Sequence, residues 1–468
     1  MNALTEAEKT ELKNLIDAGE LLPERWVHRL FPARGDTQIG KEYRLVYDGK
    51  MTREEVLAET PAAPWQLVRS FCDDNPHEDG WQNLLVWGDN LMAMRELLAD
   101  QHGLNRFGTR DKIKLVYIDP PFATRKDFMK DREKAYQDKV LGSRFIEFLR
   151  RRIVLLRELL ADDGVLFLHL DAKKHHYMKA VLDELFGEHN LVNDITWKRS
   201  HAHGNTGQGA KHFGPVTEKI LLYAKGEGFH WVPQYQPYSR AIEARDYKYT
   251  DENTGEKYRL MPVDGPGGGA KGNPYYEFLG VKGYWRYSKE TMQDLYDKGE
   301  IILSSTGRSL SRIRYLKDAK GTPITDLWDD IGRISPTSSE RVDYPTQKPE
   351  SLIERILSTC TKEGDIVLDC FAGSGTTPAV AEKLGRKWIA MDCGKLATYT
   401  SQKRLFSLST RVGSPKKDER YSVERVNDWG EHEKKARGVF FIVLAMGPKP
   451  SPSGETFRFY SARLQYGA

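Results

Sequence analysis

Residues 113–122 read Ile-Lys-Leu-Val-Tyr-Ile-Asp-Pro-Pro-Phe, a short apolar run followed by an acidic residue, two prolines and an aromatic ring. Such a run predicts a buried β-strand, and the prolines predict a rigid turn directly after it. Ligands of open α/β sheets bind at the carboxyl ends of parallel strands. There the Asp119 carboxylate and the Pro120 carbonyl can each accept an N–H, and Phe122 can stack on a flat ring. The stretch therefore predicts a site for a planar group that bears an amine.

The segments on both sides follow the strand–helix–strand order of a parallel sheet. Apolar runs at 84–87, 113–118 and 164–169 predict strands, and residues with helical spacing lie between them. This order is absent from about 226 to 330, where Tyr and Trp are frequent, and it returns from 351 to 392. The pattern predicts a doubly wound, mostly parallel α/β sheet that carries an inserted domain.

A second motif, Asp369-Cys-Phe-Ala-Gly-Ser-Gly-Thr-Thr377, joins a predicted strand to a predicted helix through a glycine-rich turn. Glycines let a ligand approach the backbone, and an acid at the end of the next strand, here Asp392, binds ribose hydroxyls in such folds. The third glycine of a dinucleotide site and the Gly-Lys-Ser/Thr of a phosphate-binding loop are both missing. NAD and ATP are therefore disfavoured, and an adenosine ligand without a pyrophosphate remains. Taken alone, the motif is equally typical of an ordinary strand-to-helix turn.

Length and composition set the broad class. The chain has 468 residues, which predicts several domains or one domain with insertions, and its net charge of +4 decides nothing about partners. Its 10 Trp, 22 Tyr and 18 Phe supply buriable surface, and no run of about 18 apolar residues is present. The four cysteines form no C-x-x-C pair, and His201-x-His203 has no further ligand at metal spacing. We expect a folded cytoplasmic protein without a membrane span or a metal site.

Together with Tyr344-Pro-Thr-Gln-Lys-Pro349, the two motifs resemble those of the β-class DNA amino-methyltransferases. In that class an Asp-Pro-Pro-aromatic motif precedes a target-recognition segment, and a Phe-x-Gly-x-Gly motif follows it. The resemblance spans about 83–405 and is nearest to adenine-specific enzymes, including the modification subunits of Type III restriction systems, which more often have Tyr where this chain has Phe122. It implies a seven-stranded methyltransferase sheet, S-adenosylmethionine as cofactor and double-stranded DNA as substrate. A restriction subunit and a second copy of the chain are further candidate partners.

The resemblance also implies a role for each motif residue. Asp119 and Pro120 would hold the exocyclic amine, Pro121 would stiffen the turn, and Phe122 would stack on the base. Asp at the first motif position, rather than Ser, favours N6 of adenine over N4 of cytosine. C5-cytosine methylation needs a thiolate in a Pro-Cys context, and no cysteine here follows a proline. The residues implied to bind or border the cofactor are Asp89, Lys348, Asp369, Phe371, Gly373, Gly375, Thr376 and Asp392.

An amine paired inside a duplex is reached only after its nucleotide rotates out of the stack, or on a single strand. The aromatic-rich insert is the predicted recognition domain, and its candidate DNA contacts are Arg308, Arg312 and Arg314. A basic, glycine-containing loop near the site is suited to phosphates, with the candidates Lys198, Arg199 and Lys211.

The predicted domains are an N-terminal region (1–80), a catalytic half (81–225), a target-recognition insert (226–335), a cofactor-binding half (336–412) and a C-terminal appendage (413–468). Three alternatives stay open: an N4-cytosine enzyme, an enzyme acting on RNA or protein amides, and a non-catalytic DNA-binding subunit with the same fold. Related enzymes for RNA or protein use Asn-Pro-Pro-Tyr, so Asp119, the motif order and the insert argue against the second. Intact Asp119, Gly373 and Asp392 argue against the third.

Overall fold

The computed structural model describes residues 5–17, 44–71, 79–122, 127–130, 133–137, 142–200, 211–342, 344–406, 408, 422–426, 432–436 and 441–446. The chain divides into two units, residues 1–47 and 48–468. The first contains helix α1 (Glu6–Asp17), which begins at a capping box in which Thr5 N donates to Glu8 Oε2 at 2.8 Å. All other described helices and strands lie in the second unit.

A ten-stranded sheet forms the centre of the second unit. Its strands run from one edge to the other in the order β1 (Trp65–Phe71), β22 (Phe441–Met446), β2 (Asn83–Trp87), β19 (Lys387–Asp392), β18 (Ile366–Asp369), β3 (Ile113–Ile118), β6 (Leu160–Leu170), β8 (Thr217–Ala224), β7 (Leu191–Lys198) and β17 (Leu327–Trp328).

Most neighbouring strands in this sheet are parallel. The strands from β22 to β6 run in one direction, β8 is antiparallel to both β6 and β7, and β1 is antiparallel to β22. The predicted mostly parallel sheet is therefore confirmed. The strands from β2 to β7 supply the predicted seven, and β1, β22 and β17 extend the sheet at its two edges. Two of these extra strands come from the predicted N-terminal region and C-terminal appendage, whose boundaries remain sequence-based predictions.

Helices cover both faces of the sheet. Leu222 of β8 packs in one buried cluster with Ile353, whereas the side chain of the next residue, Tyr223, points to the opposite face and donates its hydroxyl to Asp183 Oδ1 at 2.6 Å. The sheet is thus doubly wound, as predicted. The helices of this unit are α2 (Arg53–Glu59), α3 (Asn90–His102), α4 (Ser143–Leu159), α5 (His175–Phe186), α6 (Arg240–Asp246), α7 (Lys289–Asp297), α8 (Glu350–Cys360), α9 (Thr376–Lys383) and α10 (Lys395–Phe406). No helix in the described ranges has both the length and the apolar character needed to cross a bilayer.

The segment predicted as an insert has a buried cluster of its own, centred on Trp285, Met292 and Leu310. Its four-stranded sheet has the order β10 (Tyr249–Thr250), β11 (Lys257–Pro262), β15 (Leu310–Tyr315) and β14 (Ile301–Leu303). Short antiparallel pairs accompany it: β12 (Tyr275–Phe278) with β13 (Val281–Tyr284), and β9 (Tyr235–Gln236) with β16 (Thr322–Pro323). Two further hairpins lie elsewhere in the chain, namely β4 (Asp127–Lys130) with β5 (Glu133–Gln137), and β20 (Ser422–Val426) with β21 (His432–Ala436).

A buried ionic cluster ties together the three helices that follow the insert. Glu350, at the start of α8, accepts hydrogen bonds from Lys383 Nζ at 2.6 Å and from Arg404 Nη2 at 2.8 Å. These side chains are at most 5% exposed. Burial favours the neutral form of Glu350, but Arg404 and Lys383 outweigh it and lower the pKa of the carboxyl. The cluster therefore fixes α8, α9 and α10 relative to one another.

We expect Glu350→Ala to lower the free energy of unfolding by about 3–5 kcal/mol, because it leaves two buried cations without their shared carboxylate. Urea denaturation followed by circular dichroism measures this loss. Glu54→Gln, on α2, is the control, since the side chain of Glu54 is 78% exposed and a surface substitution changes stability by about 0.5 kcal/mol or less. Equal effects of the two substitutions would contradict a structural role for the cluster.

Candidate active site

The four parallel strands β3, β18, β19 and β2 end at the same edge of the sheet. Asp119 follows β3, the glycine turn follows β18, Asp392 ends β19, and Asp89 follows β2 by two residues. A cavity of about 320 Å³ opens at this edge, a size typical of small-molecule sites. The predicted site residues that line it are Asp89, Asp119, Pro120, Pro121, Phe122, Lys348, Asp369, Phe371, Gly373, Thr376 and Asp392.

The two oxygens of Asp119 have different surroundings. Oδ2 accepts a hydrogen bond from Lys348 Nζ at 2.6 Å. Oδ1 is buried, and no described residue donates to it. A buried acceptor without a donor is unfavourable by about 1–3 kcal/mol, so Oδ1 is poised to accept an N–H from a ligand in the cavity.

Lys348 lies in the loop before α8 and reaches Asp119 across the cavity. Its ammonium is 5.2 Å from the centre of the Phe122 ring and 3.8 Å from Glu218 Oε2. Burial disfavours the charged ammonium, but the carboxylates of Asp119 and Glu218 outweigh it and raise the pKa of Lys348. The Lys348 carbonyl accepts from Thr376 Oγ1 at 3.3 Å, so the same residue is tied to the glycine turn.

Asp369 lies below the glycine turn and stabilises it. Its Oδ1 accepts from Phe371 N at 2.9 Å, and its Oδ2 accepts from Thr377 Oγ1 at 2.6 Å. Burial, with smaller contributions from the charges of Asp119 and Asp392, raises the pKa of Asp369 to about 7. This carboxyl therefore changes charge near neutral pH.

Asp392 connects the end of β19 to the same turn. Its Oδ2 accepts from Gly373 N at 2.9 Å, and its Oδ1 accepts from Gly394 N at 2.7 Å. Burial raises the pKa of Asp392 although both backbone donors oppose the shift. The carboxylate thus holds the turn in place and lines the cavity at the same time.

The two glycines of the motif serve different purposes. Gly373 has a φ of 49° and lines the cavity, where a Cβ would lie 3.5 Å from the Tyr344 ring. Gly375 has a φ of 71° and does not line the cavity. A Cβ there would lie 2.9 Å from the Cα of Ser401, so Gly375 permits the close approach of α10. The predicted cofactor residue Gly375 therefore has a packing role in this structure.

A second group of cavity residues was missed by sequence reasoning. Arg152 of α4 is buried, stacks 3.6 Å from the centre of the Phe148 ring, and donates from Nε to Asn90 Oδ1 at 2.5 Å. Asn90 Nδ2 in turn donates to Cys370 O at 2.5 Å. Arg152 also lies 3.3 Å from Asp89, and burial lowers the pKa of its guanidinium. Its position on the apolar face of a predicted helix was the signal that could have identified it.

The predicted basic loop emerges at the same edge as the cavity. Lys198 ends β7 opposite Thr217, the first residue of β8, and these strand ends lie beside the carboxyl end of β6. Arg199 Nε is 3.2 Å from Glu218 Oε1, whereas Lys211 is exposed. His201 and His203 lie outside the described residues.

The three candidate arginines of the insert differ in their environments. Arg308 and Arg314 are exposed on the small sheet and the turn before it. Arg312 donates from Nε to Glu300 Oε2 at 2.8 Å and from Nη1 to the Tyr287 hydroxyl at 3.2 Å. Its guanidinium thus has internal partners that hold the small sheet together, a role that alternation along a strand does not reveal.

Comparison with known proteins assigns the class. A model of the DNA methylase family N6_N4_Mtase matches residues 113–403. The Type II methyltransferase M.EcaI of Enterobacter cloacae is 31% identical over 370 residues, which cover 78% of each chain. The Mod subunit of the Type III restriction-modification enzyme StyLTI of Salmonella typhimurium is 29% identical over 75% of this chain, which spans 57% of that subunit. The crystal structure of the M1.HpyAVI-SAM complex covers 69% of this chain and 98% of its own, at 18% identity and a TM-score of 0.36.

The match to the family model and the similarity to M.EcaI define the class as that of the DNA amino-methyltransferases. The chain belongs to the DNA methylase family.

We expect Gly375→Ala to lower the free energy of unfolding by about 1–3 kcal/mol, since the new methyl group meets the Ser401 backbone and the residue keeps a left-handed φ. Thermal and urea denaturation measure the change. Gly364→Ala is the matched control, because Gly364 also has a positive φ, of 82°, but no described atom lies within 4 Å of the place that its new methyl group would take. A larger loss for Gly364→Ala than for Gly375→Ala would refute the packing role.

Proposed function

We propose that this protein transfers a methyl group from S-adenosylmethionine to the exocyclic N6 of adenine in double-stranded DNA, after the base has rotated out of the duplex. The observation that carries the proposal is Asp119, which lines the same cavity as the glycine turn and whose buried Oδ1 has no donor among the described residues. This oxygen is left to accept an N–H from an amino group bound beside Asp119. The N4-cytosine alternative differs only in the base that Asp119 receives.

The cavity has the charge that this cofactor requires. S-adenosylmethionine carries positive charge on its sulfonium and its ammonium, and three carboxyl groups line the cavity at its cofactor side, those of Asp89, Asp369 and Asp392. The cofactor would supply a methyl group that is bonded to a sulfonium. An amine can attack this methyl group directly, so the protein does not need to supply a nucleophile. We assign Phe371, Gly373 and Thr376 to the walls of its site and Asp392 to its ribose.

The chain's own residues orient the target amine. Asp119 Oδ1 and the Pro120 carbonyl accept its two N–H groups, which draws the nitrogen lone pair out of the ring plane. Phe122 stacks on the base, and Pro121 keeps the turn rigid. In the transfer, the target nitrogen would bond to the methyl carbon, the thioether S-adenosylhomocysteine would leave with the electrons of the carbon–sulfur bond, and the extra proton on nitrogen would pass to water. Positioning, rather than covalent catalysis, therefore accounts for the rate.

The remaining proposals concern the partners of the protein and its location in the cell. We propose that the insert reads DNA, with Arg308 and Arg314 as its candidate contacts, and that Lys198, Arg199 and Lys211 contact phosphates. Several relatives are named as Type III Mod subunits, which favours a restriction subunit as partner, and a homodimer is a further candidate. We place the protein in the bacterial cytoplasm.

We expect Asp119→Ala to reduce methyl transfer to duplex DNA at least 100-fold while the affinity for S-adenosylmethionine changes less than about threefold, because the carboxylate contacts the base and not the cofactor. Transfer of labelled methyl and calorimetric titration measure the two effects. Mass spectrometry of the digested product then distinguishes N6-methyladenine from N4-methylcytosine.

Three results would count against the proposal. Full turnover by Asp119→Ala would show that Asp119 is not catalytic. N4-methylcytosine as the product would show that the target base is cytosine and not adenine. Transfer to RNA or protein in preference to duplex DNA would change the substrate class.

The pKa of Asp369 predicts a pH-dependent cofactor affinity. Below a pKa of about 7 this carboxyl is neutral, and above it the carboxylate attracts the positive charge of the cofactor. Binding should therefore tighten about tenfold between pH 6 and pH 7.5, with uptake of cofactor releasing a proton. Calorimetry in buffers of different ionisation enthalpy measures both quantities. The Asp369→Asn variant should bind S-adenosylmethionine more weakly, and its affinity should no longer depend on pH in this range. If the affinity of the variant changes with pH as steeply as that of the wild type, the pH dependence belongs to another group.

A further inference from the structure

Glu218 occupies an unusual position for a carboxylate. It lies on β8, separated from the Asp119 strand β3 by β6, and its side chain is only 9% exposed. Oε2 is 2.9 Å from His169 Nε2 and 3.8 Å from Lys348 Nζ, and Oε1 is 3.2 Å from Arg199 Nε. Three basic groups therefore surround one buried carboxylate.

The ring of His169 is held from the other side as well. It is fully buried on β6, and its Nδ1 lies 2.9 Å from the Tyr117 hydroxyl. Burial, followed by the charge of Asp119, raises the pKa of Tyr117, so its hydroxyl remains a donor. The His169 ring also meets the Trp197 ring with a centre-to-centre distance of 5.5 Å. These contacts hold the His169 ring, whose Nε2 lies 2.9 Å from Glu218 Oε2.

Glu218 carries a charge at neutral pH. Burial alone would raise the pKa of its carboxyl, but Lys348, His169 and Arg199 lower it to about 2. The Lys348 ammonium therefore lies between two anions, Asp119 at 2.6 Å and Glu218 at 3.8 Å. A lysine side chain has several rotatable bonds, and a second anion beside the ammonium restricts the positions that it can take.

We propose that Glu218 is a positioning residue for methyl transfer: it holds the Lys348 ammonium against Asp119 Oδ2, and Asp119 consequently presents Oδ1 to the amine of the target base. The proposal rests on the proposed function of Asp119 and extends it to a residue that does not line the cavity. A purely structural role would lower stability without a selective loss of kcat, so the two roles are separated by measuring turnover and unfolding on the same variants.

The test compares Glu218→Gln, Lys348→Met and the double variant with the wild type. We expect Glu218→Gln to lower kcat about 10- to 100-fold, with KM for S-adenosylmethionine changed less than about threefold, because misplacing a reactive group mainly affects the chemical step. Glu218→Asp keeps the charge and should recover part of kcat. The double variant should be no slower than Lys348→Met, because Glu218 acts through Lys348.

Asp194→Asn is the matched control. Asp194 lies on the neighbouring strand β7, where its carboxylate binds Lys219 and His175 at 3.2 and 3.1 Å. The substitution removes a carboxylate that also has two basic partners but is 38% exposed and lies outside the Glu218 cluster, and it should leave kcat within about twofold. A comparable loss of kcat would show that Glu218→Gln acts through general damage to the sheet, which overturns the proposal.

Two further results would overturn it. One is wild-type kcat in Glu218→Gln, and the other is a double variant whose loss equals the product of the single losses. Crystal structures of the wild type and Glu218→Gln provide a readout that does not need turnover: Lys348 Nζ should move beyond about 4 Å from Asp119 Oδ2 in the variant. An unchanged contact contradicts the positioning role, whereas absence of DNA methylation by the wild type contradicts the proposed function alone.

Discussion

The ion pair between Lys348 and Asp119 joins two parts of the chain that are 229 residues apart. Asp119 follows β3 on the amino-terminal side of the insert, and Lys348 precedes α8 on its carboxyl-terminal side. Because the ammonium binds Oδ2, the buried Oδ1 of this cavity-lining residue has no donor from the described part of the chain. The electrostatic surroundings of Asp119 thus depend on a lysine that follows the insert in the chain.

The part of the cavity beside the glycine turn uses carboxyl groups in a different way. Asp369 and Asp392 accept hydrogen bonds from the backbone of the turn that they support, so each is both a structural residue and a source of negative charge. Burial raises the pKa of both groups, which means that negative charge accumulates there only at a free-energy cost. A positively charged group beside these carboxylates would offset that cost.

Sequence reasoning succeeded where the relevant contacts are local. Strand, turn and helix signals lie within ten or so residues of one another, so the turns at Asp119 and Gly373 were assigned to the correct strand ends. Sequence reasoning was incomplete where packing between distant parts of the chain determines the role of a residue. Gly375 belongs to the contact with Ser401, and Arg312 pairs with Glu300. The strand β22 was placed only in the predicted C-terminal appendage, because its pairing with β1 and β2 depends on residues far away in the chain.

The amino-acid sequence by itself determined the class of fold, the two motif turns and the chemistry that their residue types permit, because these follow from short-range patterns of apolar, acidic and glycine residues. Only the tertiary structure decided which oxygen of Asp119 is left to a ligand, that Lys348 binds Asp119, and that Glu218 and His169 lie behind it. These relations arise from the order of β3, β6 and β8 in the sheet. Burial and pairing between residues far apart in the chain set the spatial order of the strands. Short-range sequence patterns therefore do not reveal this order.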